Sequence, residues 1–175
     1  MSKLKVLIAP DPILKKKALT VEFVDNSIRR LMDDMLATIY EDRGIGLAAN
    51  QVGVLKRVLV LDLQEDDDQE RDKGFYPLFI VNPEIIESSE ETKIAEEGCM
   101  SVPDQRIPVE RPVSVRIKYL DYNNKEQELE TEGWLARAVQ HEIDHLNGKL
   151  LIDYLSNLKK NVVLRKLTKL KRLSA

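Results

Sequence analysis

The chain has only two histidines, and they stand four residues apart, at His141 and His145, with Glu142 following the first. The segment 134–148, opening on Trp134 and closing on Asn147-Gly148, reads as a helix. Positions four apart on a helix lie one above the other, so both imidazoles face one small volume, as two ligands of a single metal ion do. Glu142 sits about 100° round from His141 and about 60° from His145 by helical geometry. That puts its carboxylate at the rim, in reach of a proton on a metal-bound water. A chance Glu beside two histidines so spaced is on the order of one in a thousand for a chain of this composition.

The same helix carries two functional faces. Leu135, Val139, Ile143 and Leu146 cluster on one side, and Trp134, Ala138, His141 and His145 on another. A helix engaged on both faces is expected at the centre, enclosed by sheets. Trp134 and Ala138, one and two turns before His141, line a side-chain pocket beside the metal on this reading. An ordinary core position for Trp134 is the alternative that spacing leaves open.

The sheets are signalled by short extended runs. Arg57 to Leu63, Leu78 to Val81 before Asn82-Pro83, Thr92 to Glu96, Val113 to Leu120 and Glu126 to Glu132 read as strands, the alternation Val113, Val115, Ile117, Tyr119 most clearly. Their close spacing favours antiparallel pairing. Asp11-Pro12 starts a brief helix through Lys17, and Asp25 or Asn26 caps a longer one with an apolar stripe from Ile28 to Tyr40, ending near Arg43-Gly44. The charged run from Gln64 to Gly74 reads as a solvated loop. The fold class expected is α+β: a central metal-binding helix enclosed by antiparallel β-sheets, with an N-terminal helix and a C-terminal helix. The expected division is a catalytic domain over residues 1–155 and a basic helix over 156–175 packed on the same domain.

Composition narrows the function classes. No apolar run approaches the roughly 18 residues of a membrane span, and no signal-peptide core precedes Pro10, so a cytoplasmic protein without membrane attachment is expected. A single cysteine, Cys99, forms no internal disulfide and suits a reducing compartment. The net charge is −3, yet after Asp153 the tail holds seven cations and no acid. A basic helix from Ser156 to Leu173 is either simply solvated or meets an anionic partner such as ribosomal RNA. The glycines of Gly44-Ile-Gly46-Leu-Ala-Ala49 formally match a dinucleotide fingerprint, but there a strand must enter and a helix must leave. Here a helix precedes and a strand follows, so the glycines are better read as letting another backbone, such as a peptide substrate, lie close.

A catalytic zinc-type site takes three protein ligands and one open position. Without a third histidine, the candidates are a carboxylate or Cys99, which Gly98 leaves presented at a bend. An inert buried cysteine is the competing reading, and the residues alone leave it open. Three separated segments then resemble, in order and spacing, the signature motifs of peptide deformylases: Gly44-Ile-Gly-Leu-Ala-Ala-Asn-Gln51, Glu97-Gly-Cys-Met-Ser101 and His141-Glu-Ile-Asp-His145. His-Glu-x-x-His alone points first to metalloproteases; the other two motifs redirect the reading.

The resemblance implies hydrolysis of the N-formyl group from the initiator formyl-methionine of nascent peptides, releasing formate. It implies Cys99, His141 and His145 as metal ligands, for Fe²⁺ in many bacterial members, with Zn²⁺ or Ni²⁺ able to substitute. It implies Glu142 as general base and acid, and the Gln51 amide with the Met100 backbone N–H as oxyanion donors. Met100 stands where many members have Leu, a change to which a backbone donor is indifferent. The substrate backbone is expected beside Ile45 and Gly46 on one side and Gly98 on the other, as a strand added to a sheet edge. The C-terminus resembles that of the type 1 bacterial group, and similarity to members whose terminal helix contacts the ribosome implies a ribosomal RNA partner; no DNA partner is implied.

Overall fold

A computed structural model describes residues 1–64 and 74–173. Seven strands and three helices follow the order α1 (Asn26–Glu41), β1 (Gly46–Ala48), β2 (Val58–Leu61), β3 (Leu78–Ser88), β4 (Thr92–Cys99), β5 (Val102–Pro112), β6 (Ser114–Leu120), β7 (Glu126–Glu132), α2 (Gly133–Leu146) and α3 (Asn157–Leu173). Every strand pairing is antiparallel. The strands form a five-stranded sheet in the order β1-β2-β3-β6-β7, with β1 at one edge, and a separate two-stranded sheet of β4 and β5. The expected α+β arrangement of a central helix between antiparallel sheets is the one observed.

The alternation of side chains along β2 explains the layering. Val58 and Val60 pack with Ile28, Met32, Met35 and Ile39 of α1, while Leu59 and Leu61 pack with Leu135, Val139, Ile143 and Leu146 of α2. All four β2 residues are buried, as in a strand covered on both faces. The opposite side of α2 meets the β4–β5 sheet. A third cluster joins Val102, Ile107 and Val109 of β5 to Leu150, Leu151 and Ile152 and to Val163 and Leu167 of α3.

Local signals set the element ends. Asp25 caps α1, its side chain accepting from the Ile28 N–H at 3.0 Å. The left-handed turn that ends α1 falls on Arg43 (φ 57), not on the neighbouring Gly44. After α2, Gly148 (φ 74) passes so close to the Lys15 carbonyl that a Cβ would collide with it. The expected brief helix near residue 12 is a 3-10 turn, Pro12–Lys15, and a further 3-10 turn, Ala49–Val52, replaces extended chain after β1.

β1 has no counterpart among the expected strands, and two further strands differ from expectation for physical reasons. β3 does not stop at Asn82-Pro83 but continues to Ser88 through a register shift between Val81 and Glu84. Asn82 (φ 52) spends both amide atoms on the Val21 backbone at that bulge. β5 has no counterpart among the expected strands, because Pro103, Pro108 and Pro112 argue against one; a two-stranded sheet has free edges that tolerate them. The solvated loop expected over 64–74 falls largely on residues outside those described.

Asp153 ties three parts of the chain together: it accepts from the Leu150 N–H at 2.8 Å, from Lys160 of α3 at 2.6 Å, and from Lys15 of the first 3-10 turn. Burial opposes its charge, but the Leu150 N–H and the two lysines outweigh it and hold the carboxyl down at about 2. A carboxyl depressed on folding stabilises fully above its ordinary value of 3.8, and that contribution is lost as pH falls toward about 2. Asp153→Asn is expected to lower stability at pH 7 by about 1.5–3 kcal/mol, the scale of hydrogen bonds to a charged group. Denaturant midpoints of both proteins should converge between pH 4 and pH 2; a gap constant with pH would contradict the assignment.

Candidate metal and active site

On α2 the two histidines face one point: His141 Nε2 and His145 Nε2 are 3.3 Å apart, and Cys99 Sγ lies 3.3 Å from His145 Nε2. All three donor atoms fall within 4.8 Å of one another. Cys99 comes from the end of β4, where the register shift between Glu97 and Cys99 turns its sulfur toward the helix. The Glu97 carboxylate, 2.9 Å from His141 Nδ1, fixes the proton on that nitrogen and leaves the Nε2 lone pair aimed at its neighbours. A shared proton or a metal ion satisfies the facing lone pairs at these distances. Tetrahedral zinc-type bond lengths put N and S donors roughly 3.3–3.6 Å apart, so the spacing fits an ion with these three as ligands. His145 Nδ1 is buried without a hydrogen-bond partner among the described residues.

Glu142 differs from its expected place at the rim. It is buried, because α2 turns this side toward β1, and its Oε2 has no hydrogen-bond partner among the described residues. Burial, reinforced by the charges of Glu97 and Asp144 against the pull of His141 and Arg111, pushes its carboxyl up to about 7. Room for it comes from Gly46: a Cβ there would stand 2.8 Å from Glu142 Oε1 and 2.6 Å from Leu61 Cδ2. The glycine expected beside a substrate backbone also leaves room for this carboxylate.

Gln51 lies in the 3-10 turn after β1. Its Oε1 accepts from the Ala48 N–H at 2.9 Å, which fixes the amide orientation, since a backbone N–H only donates. Nε2 is thereby directed at Cys99 Sγ, 3.4 Å away, and Ser101 Oγ, 3.1 Å away. Met100 occupies the tight turn from β4 to β5, with its thioether against Gly44, where a Cβ would meet Met100 Cε at 2.9 Å.

These groups line one cleft of about 430 Å³ together with Ile45, Gly46, Gly98, Trp134 and Ala138. Only His145, 1% exposed, lies behind the lining. Trp134 is 58% exposed, which excludes an ordinary core position. The cleft opens between the edge of β1 and the edge of β4.

Sequence reasoning missed the buried ionic network behind the cleft. Glu97 accepts from Arg111 Nε at 2.7 Å and Nη2 at 2.9 Å, from Arg137 Nη1 at 2.6 Å, and from His141. Burial raises the Glu97 carboxyl, but the His141 and Arg111 contacts outweigh it and hold it at about 2. Arg111 also donates to Asp144 and Tyr154. The one available signal was Glu97 beside Cys99; the arginines stand amid charges that read as solvent-facing.

A cysteine and two histidines converging at a cleft, with a buried carboxylate alongside, define a metallohydrolase-type site. The chain belongs to the peptide deformylase family: the family model described as Polypeptide deformylase matches residues 3–161. It is 61% identical over 171 residues to the peptide deformylase of Rickettsia canadensis, covering 98% of each chain, and 54% identical over 175 residues to that of Orientia tsutsugamushi, covering 98% of this chain and 97% of the relative. The crystal structure of peptide deformylase from Ehrlichia chaffeensis superposes with a TM-score of 0.91 at 42% identity, covering 99% of both chains.

Gly46→Ala is expected to force Glu142 and Leu61 apart, at about 1–3 kcal/mol of overpacking. Chemical denaturation measures this; a variant as stable as the parent would show that the cleft yields without cost.

Proposed function

We propose that this chain removes the N-formyl group from the initiator formyl-methionine of nascent polypeptides, releasing formate and a free amine. The observation that carries this reading is the meeting of Cys99, His141, Glu142 and Gln51 in one cleft, with His145 completing the donor cluster directly behind its lining. Cys99, His141 and His145 hold the metal, which we assign as Fe²⁺, with Zn²⁺ or Ni²⁺ as substitutes. A His₂Cys set accepts several divalent ions. The ion supplies a Lewis acid that polarises a carbonyl and makes water nucleophilic near neutral pH.

The chain's own residues supply the rest. Glu142 takes a proton from water as the new C–O bond forms at the formyl carbon, then passes it to the departing amine nitrogen as the C–N bond breaks. Gln51 Nε2, its orientation fixed by the Ala48 N–H, donates to the formyl oxygen together with the Met100 backbone N–H. The peptide backbone pairs beside Ile45 and Gly46 on one wall and Gly98 on the other, a mode that reads little side-chain sequence. Trp134 and Ala138 flank the methionine side chain.

Catalysis belongs to residues 1–155. α3 carries Arg165, Lys166, Lys169 and Arg172 exposed, and we assign the basic segment 156–175 a ribosomal RNA contact. No described helix is long and apolar enough to cross a membrane, in keeping with a cytoplasmic assignment.

Glu142→Gln should keep the metal and lose about 10²- to 10⁴-fold in formate release from formyl-Met-Ala-Ser, whereas Cys99→Ala should lose the metal, read by elemental analysis. Near-parental turnover of Glu142→Gln would overturn the mechanism. Replacing Arg165, Lys166, Lys169 and Arg172 with Gln should weaken ribosome co-sedimentation, and binding by the parent should fall steeply with salt. Salt-independent binding that survives the replacement would remove the RNA contact.

A further inference from the structure

The third metal donor does not sit on the same body as the other two. His141 and His145 belong to α2, which packs on the five-stranded sheet, while Cys99 ends β4 in the separate two-stranded sheet. Something must hold that two-stranded sheet at a fixed distance from the helix. At its far end the chain does so, where the Gly133 N–H donates to the Val113 carbonyl, while beyond Cys99 the Ala9 N–H, on the N-terminal segment, donates to the Ser101 carbonyl. Between these ends the work falls to side chains.

Arg137 stands one helical turn before His141, and its side chain is 9% exposed. From α2 its guanidinium reaches three acceptors on the opposite sheet: Glu97 Oε2 at 2.6 Å and the Lys93 carbonyl at 2.6 Å on β4, and the Val109 carbonyl at 2.8 Å on β5. Arg111 answers from β5, gripping Glu97 and reaching back to Asp144 of α2 at 2.9 Å. Glu97 is two residues from Cys99 and also holds His141. A planar fork with several donors sets position and angle together, which a single ammonium does not.

We propose that Arg137 is a positioning residue for the metal centre: its three bonds lock the β4–β5 sheet to α2 and so set the span between the Cys99 sulfur and the two imidazoles. This rests on Cys99, His141 and His145 being the metal ligands. The consequence is that a residue outside the donor set, though it lines the same cleft, governs how tightly the ion is held. Loss of a residue that orients ligands in this way typically weakens metal binding by about 10- to 100-fold.

The test uses the full chain loaded with Co²⁺, comparing the parent, Arg137→Met and Arg137→Lys. Release of the ion to a chelator in excess should be about 10- to 100-fold faster in Arg137→Met, with a weakened or shifted thiolate-to-cobalt absorption band. Arg137→Lys, which keeps the charge but not the fork, should fall between. A purely stabilising role would lower the melting temperature of Arg137→Met and leave release rate and band unchanged, and that result overturns the proposal. If Arg137→Met fails to fold, parental release and band in Arg137→Lys overturn it equally. A parent chain that binds no stoichiometric Co²⁺ would instead refute the ligand assignment.

Discussion

The Glu97 carboxylate, removed from solvent at the junction of β4 with α2, accepts from two arginines and a histidine and so uses both oxygens fully. An ionised carboxylate taken out of water is stable only when surrounded in this way, and removing one partner of a buried pair typically costs about 3–5 kcal/mol. The arrangement therefore has little slack. Each cation comes from a different element, Arg111 from β5 and Arg137 from α2, so satisfying Glu97 brings together the pieces that carry Cys99 and His141. Electrostatic completeness and the geometry of the donor set are one requirement.

The layering puts that network in a dry place. With Leu135, Val139, Ile143 and Leu146 against the five-stranded sheet and the histidine face against the two-stranded one, α2 has almost no wet side. Low dielectric strengthens every contact made inside and makes an unpaired group costly. Glu142 illustrates the second half of that statement: one of its oxygens is buried without a hydrogen-bond partner among the described residues, and the carboxyl is pushed toward neutrality. Near it, Gln51 is held by its own backbone neighbour rather than by solvent.

Much of this was legible in the sequence, for identifiable reasons. Periodicity marked α1 and α2, because both bury wide apolar stripes, and alternation marked β6, whose Val115 and Ile117 are buried. His141 and Glu142 stand out by type and spacing, Cys99 is a candidate the residues alone leave open, Gln51 enters only through the family resemblance, and the structure lines all four along one cleft. What failed did so where local chemistry is overruled by partners distant in the chain. Three prolines hid β5; Asn82-Pro83 marked a stop that a bulge carries through. Arg111 and Arg137 are buried cations whose partners lie 14 and 40 residues away, and no local pattern separates them from solvated charges. Glu142 was placed too near the surface, since helical angles say nothing of what covers a face.

β1 has three residues, all buried, and lies at the edge of its sheet beside the cleft. An edge that offers its amides to a passing peptide offers them equally to another copy of the same protein, and long flat edges of that kind seed polymers. Here the strand gives way at once to a 3-10 turn at Ala49. Brevity thus limits the length of any contact along this edge: three residues of ladder are too few to nucleate growth.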